Sequence, residues 1–202
     1  MIIIGLCGNS GSGKGTVCDS FLKHGIPSID ADLVYRDLTV VNSTLTQKLA
    51  NKFGSVILNT DLSLNRKSLA DIVFSDKTGE LLKELNKITH SSIIAEAESR
   101  IADMEKNGFK AVIFDAPLLF ESGFDKKCDF IIAVTADKNE KIARIMKRDG
   151  IDYQRADARI KSQLSEEFLT EHSDYVIENV GSINDVNSSV AKIIKNIFDC
   201  EV

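Results

Sequence analysis

Ile2-Ile3-Ile4-Gly5-Leu6-Cys7-Gly8-Asn9-Ser10-Gly11-Ser12-Gly13-Lys14-Gly15-Thr16 is the stretch on which the fold turns. Ile2 to Cys7 is almost wholly apolar and rich in β-branched side chains, the pattern of a short strand buried on both faces. A glycine-rich turn follows. Lys14 to His24 then carries Val17, Phe21 and Leu22 at helical spacing, and Gly25 supplies a C-terminal stop. A G-x-x-x-x-G-K turn between a strand and a helix reads as a phosphate-binding loop. Its glycines let successive backbone N–H groups turn inward around a phosphate without Cβ clashes, and the helix N-terminus adds unpaired donors and the positive end of its dipole. The candidate phosphate-binding residues are Gly11, Ser12, Gly13, Lys14, Gly15 and Thr16, with Lys14 bridging the β- and γ-phosphates. The strict motif places Ser or Thr directly after the lysine. Here that position is Gly15 and the hydroxyl comes one residue later, on Thr16, rotated about 100° around the helix.

Working outward, Ile26 to Ile29 reads as a second strand ending at Asp30-Ala31-Asp32. Three more apolar runs, Ala111 to Phe114, Phe130 to Val134 and Tyr175 to Ile177, supply further strands. Helical patterns separate them, and Val186 to Phe198 closes the chain with Val190, Ile193, Ile194 and Ile197 on one face. The expected fold is a three-layer α/β/α P-loop fold with a five-stranded parallel sheet. Residues from about 31 to 108 are different in character. They hold few strand-like runs and several helix-like ones, Leu45 to Phe53, Lys67 to Phe74, Lys77 to Leu85 and Ser91 to Met104. The reading is one domain, core about 1–30 and 109–202, with a helical insertion over 31–108.

Bulk properties exclude other classes. The chain of 202 residues is 43% hydrophobic and 27% charged with only 2 Pro, an ordinary globular composition. A formal net charge of -5 lacks the positive footprint of a protein that grips nucleic-acid backbone. No run approaches the ~20 apolar residues of a membrane helix, and Ile2 to Leu6 has no basic flank and is too short for a signal peptide. Cys7, Cys18, Cys128 and Cys200 show no metal-binding spacing and read as small buried residues in a reducing compartment, the cytoplasm by default. Oligomeric state stays open.

The chemistry-bearing residues lie at strand ends. Asp30 and Asp32 follow the second strand, where doubly wound sheets place ligands. A carboxylate there can accept the proton of an attacking hydroxyl, and helix N-capping is the competing role. Ala111 to Asp115 is an apolar strand ending in Asp, as in an element that holds magnesium directly or through water. Lys141, Arg144 and Arg148 share one helical face, and Arg155 and Arg159 can share another after Gly150. Such a cationic pair of helices, about 148–163, reads as a lid that brings arginines over phosphates, against the plainer reading of a solvated face.

Several segments in order resemble the successive signatures of the dephospho-CoA kinase family. They are Gly8 to Thr16, Ile29-Asp30-Ala31-Asp32, Leu64-Asn65-Arg66-Lys67-Ser68-Leu69-Ala70, Pro117-Leu118-Leu119-Phe120-Glu121, Met146-Lys147-Arg148-Asp149 and Asp174-Tyr175-Val176-Ile177-Glu178-Asn179. The resemblance implies an enzyme that uses ATP with Mg2+ to phosphorylate the ribose 3′-hydroxyl of dephospho-CoA, giving coenzyme A and ADP. It implies Asp32 as general base, Lys14 and Arg148 as catalytic cations, and Thr16 and Asp115 on the metal. It further implies Asp32, Arg66, His90, Leu118 and Glu121 on the acceptor side, the inserted part as acceptor holder, and a mobile lid over ATP. Two departures stand out. The family usually reads G-K-S-T where this chain has Lys14-Gly15-Thr16, and His-Pro where it has His90-Ser91.

His90 is expected to start a helix, His24 to end one, and His172 to lie solvated in a polar loop. A nucleoside monophosphate kinase shares the loop and lid and is the nearest alternative, with Asp30-Ala31-Asp32 standing where a monophosphate-binding arginine would be expected. A regulatory GTPase is discounted because no Asn-Lys-x-Asp segment closes a strand; Asp76-Lys77-Thr78-Gly79 falls among the helices.

Overall fold

The computed structural model describes residues 1–199; Cys200 lies outside them. In chain order come β1 (Ile2–Cys7), α1 (Lys14–Lys23), β2 (Ser28–Asp30), α2 (Ala31–Leu38), α3 (Thr44–Phe53), α4 (Arg66–Ser75) and α5 (Glu80–Lys106). They are followed by β3 (Ala111–Asp115), β4 (Phe130–Thr135), α6 (Lys138–Asp149), α7 (Tyr153–Lys161), α8 (Glu166–Glu171), β5 (Tyr175–Glu178) and α9 (Ile183–Asp199).

The five strands form one sheet in the order β2-β3-β1-β4-β5, with β1 parallel to both β3 and β4, and β4 parallel to β5. The apolar run Ile2 to Cys7 is therefore the central strand, as its burial on both faces requires. One face presents Ile2, Ile4 and Leu6 of β1, Ile113 of β3, Ile132 and Val134 of β4 and Ile177 of β5 to Val17 and Phe21 of α1 and to Val186, Val190, Ile193 and Ile197 of α9. Those strand positions alternate, which is the period-2 signature of a pleated sheet. On the other face Gly5 backs so closely onto Leu119 and Cys128 that a Cβ there would meet their atoms at 2.9 and 2.8 Å. Phe114 lies against Phe124 with ring centroids 4.0 Å apart. The α/β fold class expected from the sequence is the one found.

β2 begins at Ser28 rather than Ile26. Pro27 has no N–H to give to a ladder, although its carbonyl still accepts from Ile113 N at 2.8 Å. Parallel strands feeding helices put their carboxyl ends on one edge, and β1 and β3 deliver the phosphate loop and Asp115 there.

The chain divides into two compact units, residues 1–29 with the chain from Met104 onward, and Asp30–Asp103. The second unit has its own core of Leu45, Leu49, Phe53, Ile57, Leu64, Leu69 and Val73. Four of its helices show clear start signals. Asp30 caps α2, Ser43 caps α3 and Asn65 caps α4, each through a side-chain oxygen that accepts first-turn N–H groups, and Asp76 accepts from Leu81 N at the start of α5. Lys77 to Leu85 and Ser91 to Met104 are not two helices: α5 runs unbroken from Glu80 to Lys106. Without glycine or proline to stop it, the helix absorbs its polar segment internally. The Thr89 hydroxyl donates to Leu85 O, and those of Ser91 and Ser92 donate to Ile88 O. His90 is accordingly an interior helix residue rather than a first one.

Candidate functional site

The phosphate loop is shaped by glycines that no other residue can replace. Gly8, Gly11 and Gly13 have φ of 151°, 81° and 94°. A Cβ would meet Val134 O at 2.5 Å from Gly8, Lys141 O at 2.5 Å from Gly11 and Asn179 Nδ2 at 2.0 Å from Gly13. Gly15 differs: nothing lies within 4 Å of where its Cβ would stand. The residue after the lysine is therefore glycine without any packing need.

The loop ends at α1, whose N-cap is Gly13. No side chain caps this helix and no acidic residue sits in its first turn. By contrast, Asp137, Asp152 and Ser165 cap α6, α7 and α8. The α1 N–H groups and the positive end of its dipole are left for an anion from outside the chain. Lys14 rises from the first position of that helix, its Nζ donating to Gly8 O at 3.2 Å and standing 3.8 Å from Asp115 Oδ1. Both side chains are about 15% exposed, at 14% and 15%. At that separation the pair is held by charge, in a site dry enough for charge to count. Cys18, one turn further along α1, donates weakly to Asp115 Oδ2 at 3.9 Å. Burial, and then the Asp115 charge, pushes its thiol up to about 12.

Neighbouring segments grip the loop from outside. Arg144 on α6 donates to Gly11 O at 3.1 Å and Ser12 O at 3.4 Å, with Glu140 one turn back accepting from the same guanidinium. Asn179, just past β5, donates from Nδ2 to Ser12 O at 2.8 Å. Asn9 Nδ2 donates to Leu164 O, and Ser10 N donates to Gln163 Oε1, both at 2.9 Å. The segment joining α7 to α8 thus touches the loop directly. Lys141, buried to 5% exposure, is paired with Glu166 of α8 and is a structural cation rather than a clamp.

The other residues singled out in the sequence take varied positions. Arg148 lies exposed in the last turn of α6, with its guanidinium on the Asp149 carboxylate at 2.7 and 3.0 Å, and Arg159 of α7 pairs with the same carboxylate. Those partners, Arg148 foremost, hold the Asp149 carboxyl down at about 2. Gly150, at φ 66°, turns α6 into α7, and Ile142, Ile145 and Ala156 pack between the two helices. In Pro117 to Glu121, Leu119 is buried, Leu118 is 44% exposed and Glu121 is exposed. Phe120 lies edge-on to Phe168, 5.4 Å between centroids.

In the second unit, Asp30 is the cap of α2, accepting from Asp32 N at 2.8 Å and Leu33 N at 3.1 Å. Asp32 is an exposed first-turn residue of α2, inside the Asp30 cap. Arg66 opens α4, donating to Thr39 Oγ1 at 3.1 Å with its guanidinium 5.2 Å over the Tyr35 ring. His24 is the C-cap of α1, as expected. His172 lies exposed in the turn that follows α8, as expected. It is the C-cap of α8, with its ring stacked on Phe168 at 4.0 Å.

Among the described residues no group of three His, Cys, Asp or Glu side chains could hold a metal ion by itself, and no helix is long and apolar enough to cross a membrane. The donors at hand, the Asp115 carboxylate and the Thr16 hydroxyl, are hard oxygens. They suit a cation of the magnesium kind, which takes one or two protein oxygens and completes its shell with phosphate and water.

The sequence reading named Arg144 among a cationic face but not as a loop contact, quoted Asn9 and Asn179 within longer segments without giving either a role, and did not name Gln163. Arg144 was findable from its spacing to Arg148. The asparagines and glutamine carry no periodicity or charge that marks them.

The family model described as dephospho-CoA kinase matches residues 2–185. A Lactobacillus johnsonii protein named dephospho-CoA kinase is 35% identical over 194 residues, covering 96% of this chain and 97% of its own. Among solved structures, dephospho-CoA kinase from Campylobacter jejuni superposes with TM-score 0.70 at 28% identity, covering 99% of this chain and 98% of its own. A Thermus thermophilus protein designated TT1252 superposes with TM-score 0.80 at 29% identity, covering 96% and 97%.

Proposed function

The chain belongs to the dephospho-CoA kinase family, and we infer that it transfers the γ-phosphoryl group of ATP to the ribose 3′-hydroxyl of dephospho-CoA, giving coenzyme A and ADP. The observation that carries this reading is the uncapped N-terminus of α1, with Gly8, Gly11 and Gly13 in left-handed or extreme backbone conformations around it and Lys14 poised beside Asp115. Membership of this family sets aside the nucleoside monophosphate kinase alternative.

In the proposed mechanism the Gly11 to Thr16 amides surround the β-phosphate, and Lys14 swings from Gly8 O to bridge the β- and γ-phosphates. There it offsets the charge that shifts to the leaving oxygen as the γ-phosphoryl departs. Asp32 takes the proton from the acceptor hydroxyl, so that the new P–O bond forms on an oxygen that is losing its positive character. Asp30 is the N-cap of α2, accepting from Asp32 N and Leu33 N, and Asp32 stands in the exposed first turn of that helix. A magnesium ion, held by Asp115 and Thr16, would neutralise charge on the β- and γ-oxygens. Arg148 completes the set as a lid cation that leaves Asp149 for the phosphates, and residues 148–163 are the proposed lid. Arg66, His90, Leu118 and Glu121 are proposed acceptor contacts, with the helical unit as acceptor holder. Free thiols at Cys7, Cys18 and Cys128 suit a reducing compartment, and the cytoplasm is the proposed location.

A coupled assay of ADP release with ATP and, in turn, dephospho-CoA, AMP and shikimate tests the reading. Turnover is expected with dephospho-CoA alone. Preference for AMP or shikimate would overturn it.

A further inference from the structure

The phosphate loop cannot set its own shape. Gly11 and Gly13 flank Ser12, and glycine accepts either orientation of an adjoining peptide plane at little steric cost. What fixes the Ser12–Gly13 peptide comes from far along the chain. Asn179 is buried at 9% exposure, and its Nδ2 donates to Ser12 O at 2.8 Å. Its own backbone is pinned at both ends: Asn179 N donates to Thr135 O at 2.8 Å at the end of β4, and Asn179 O accepts from Arg144 Nη2 at 3.2 Å. The same guanidinium reaches Gly11 O and Ser12 O from Nη1.

A trans peptide points its C=O and the following N–H in opposite directions. Tying Ser12 O outward therefore directs the Gly13 N–H to the inner side of the loop. It joins the N–H groups of Lys14 and Gly15, which open α1 where no intrahelical carbonyl can reach them. The contact also accounts for the glycine before the lysine, because a Cβ on Gly13 would lie 2.0 Å from the Asn179 amide nitrogen. We propose that Asn179 is a positioning residue of the phosphoryl-transfer site, holding the Ser12–Gly13 peptide so that the Gly13 N–H faces the nucleotide's phosphates. The proposal rests on the phosphate-loop reading above and adds a residue outside the loop motif to it.

The experiment compares Asn179→Ala and Asn179→Asp with the wild type by calorimetric affinity for ADP and for adenosine, alongside ATP turnover and melting temperature. The aspartate variant keeps the side-chain shape but presents an acceptor where a donor is required, and it carries the test if the alanine variant fails to fold. ADP affinity is expected to fall about ten- to a hundredfold in both, the weight of one hydrogen bond to a charged group. Adenosine affinity is expected to change less than about twofold, because adenosine carries no phosphate. ADP affinity within about twofold of wild type in a folded variant would overturn the proposal. So would an equal loss for ADP and adenosine, which marks general damage to the nucleotide site. The wild type's own ADP affinity tests the underlying loop assignment separately. A wild type that does not bind ADP would overturn that assignment and the role of Asn179 with it.

Discussion

Asp32→Asn separates the proposed proton transfer from helix capping, because the N-cap of α2 is Asp30. Asp30 accepts the first-turn N–H groups of α2 from Asp32 and Leu33, while Asp32 sits in the exposed first turn. Replacing Asp32 by Asn removes one negative charge near a helix N-terminus, worth about 0.3–1 kcal/mol. For a domain of this size that shifts the melting temperature by roughly 1–4 °C. The cap itself stays. If Asp32 takes the acceptor proton, the same substitution costs about 10²–10⁴ in rate, roughly 3–5 kcal/mol of barrier. Steady-state turnover with dephospho-CoA and thermal melting, measured on one preparation, resolve effects that differ this much. Asp30→Ala is the matched control, expected to cost about 1 kcal/mol of stability by uncapping α2. Turnover of Asp32→Asn within threefold of wild type would refute the general-base assignment and send the search to Asp30 or Asp115.

Lys14→Ala is expected to lower phosphoryl transfer by at least about 10²–10³-fold with the fold kept, read from turnover and circular dichroism; wild-type turnover would refute the loop assignment. Gly15→Ser places a hydroxyl where nothing lies within 4 Å and where the family usually has one, so the variant should fold normally and reach half-maximal activity at lower magnesium concentration; an unchanged magnesium requirement would count against metal binding at this end of α1. Arg148→Ala is expected to reduce kcat more than it raises either KM, if the side chain leaves Asp149 to close on the transferring group; unchanged kinetic constants would make it a surface ion pair. Thiol labelling of the native protein at pH 8 should show at most one fast cysteine, since burial pushes Cys18 and Cys128 up to about 12 and raises Cys7. These thiols stay protonated and unreactive until the pH approaches those values, and two or more fast equivalents would contradict the packing.

By itself the sequence determined the sheet, the phosphate loop and the family. A run of β-branched residues with no polar break, Ile2 to Cys7, is satisfied only in the middle of a sheet, and β1 lies there between β3 and β4. Glycines followed by lysine and a helical repeat mark the loop, because glycine alone readily adopts the φ values found at Gly8, Gly11 and Gly13. Local chemistry of this kind is written in neighbouring residues. Where it ran short, nearby context won: the polar His90-Ser91-Ser92 segment looked like a helix start, yet its hydroxyls bond back to Ile88 O and α5 continues through it. Division of labour between Asp30 and Asp32 was equally undecidable from composition, since either carboxylate can cap, and only the path of α2 chose Asp30. The contacts that make up the outer grip on the loop join residues that no local pattern connects. Arg144, Gln163 and Asn179 reach Ser10, Gly11 and Ser12 from positions more than a hundred residues away. Neutral amides carry neither a hydrophobic period nor a charge pattern, so their partners are set wholly by how β4, β5 and α6 come together beside β1.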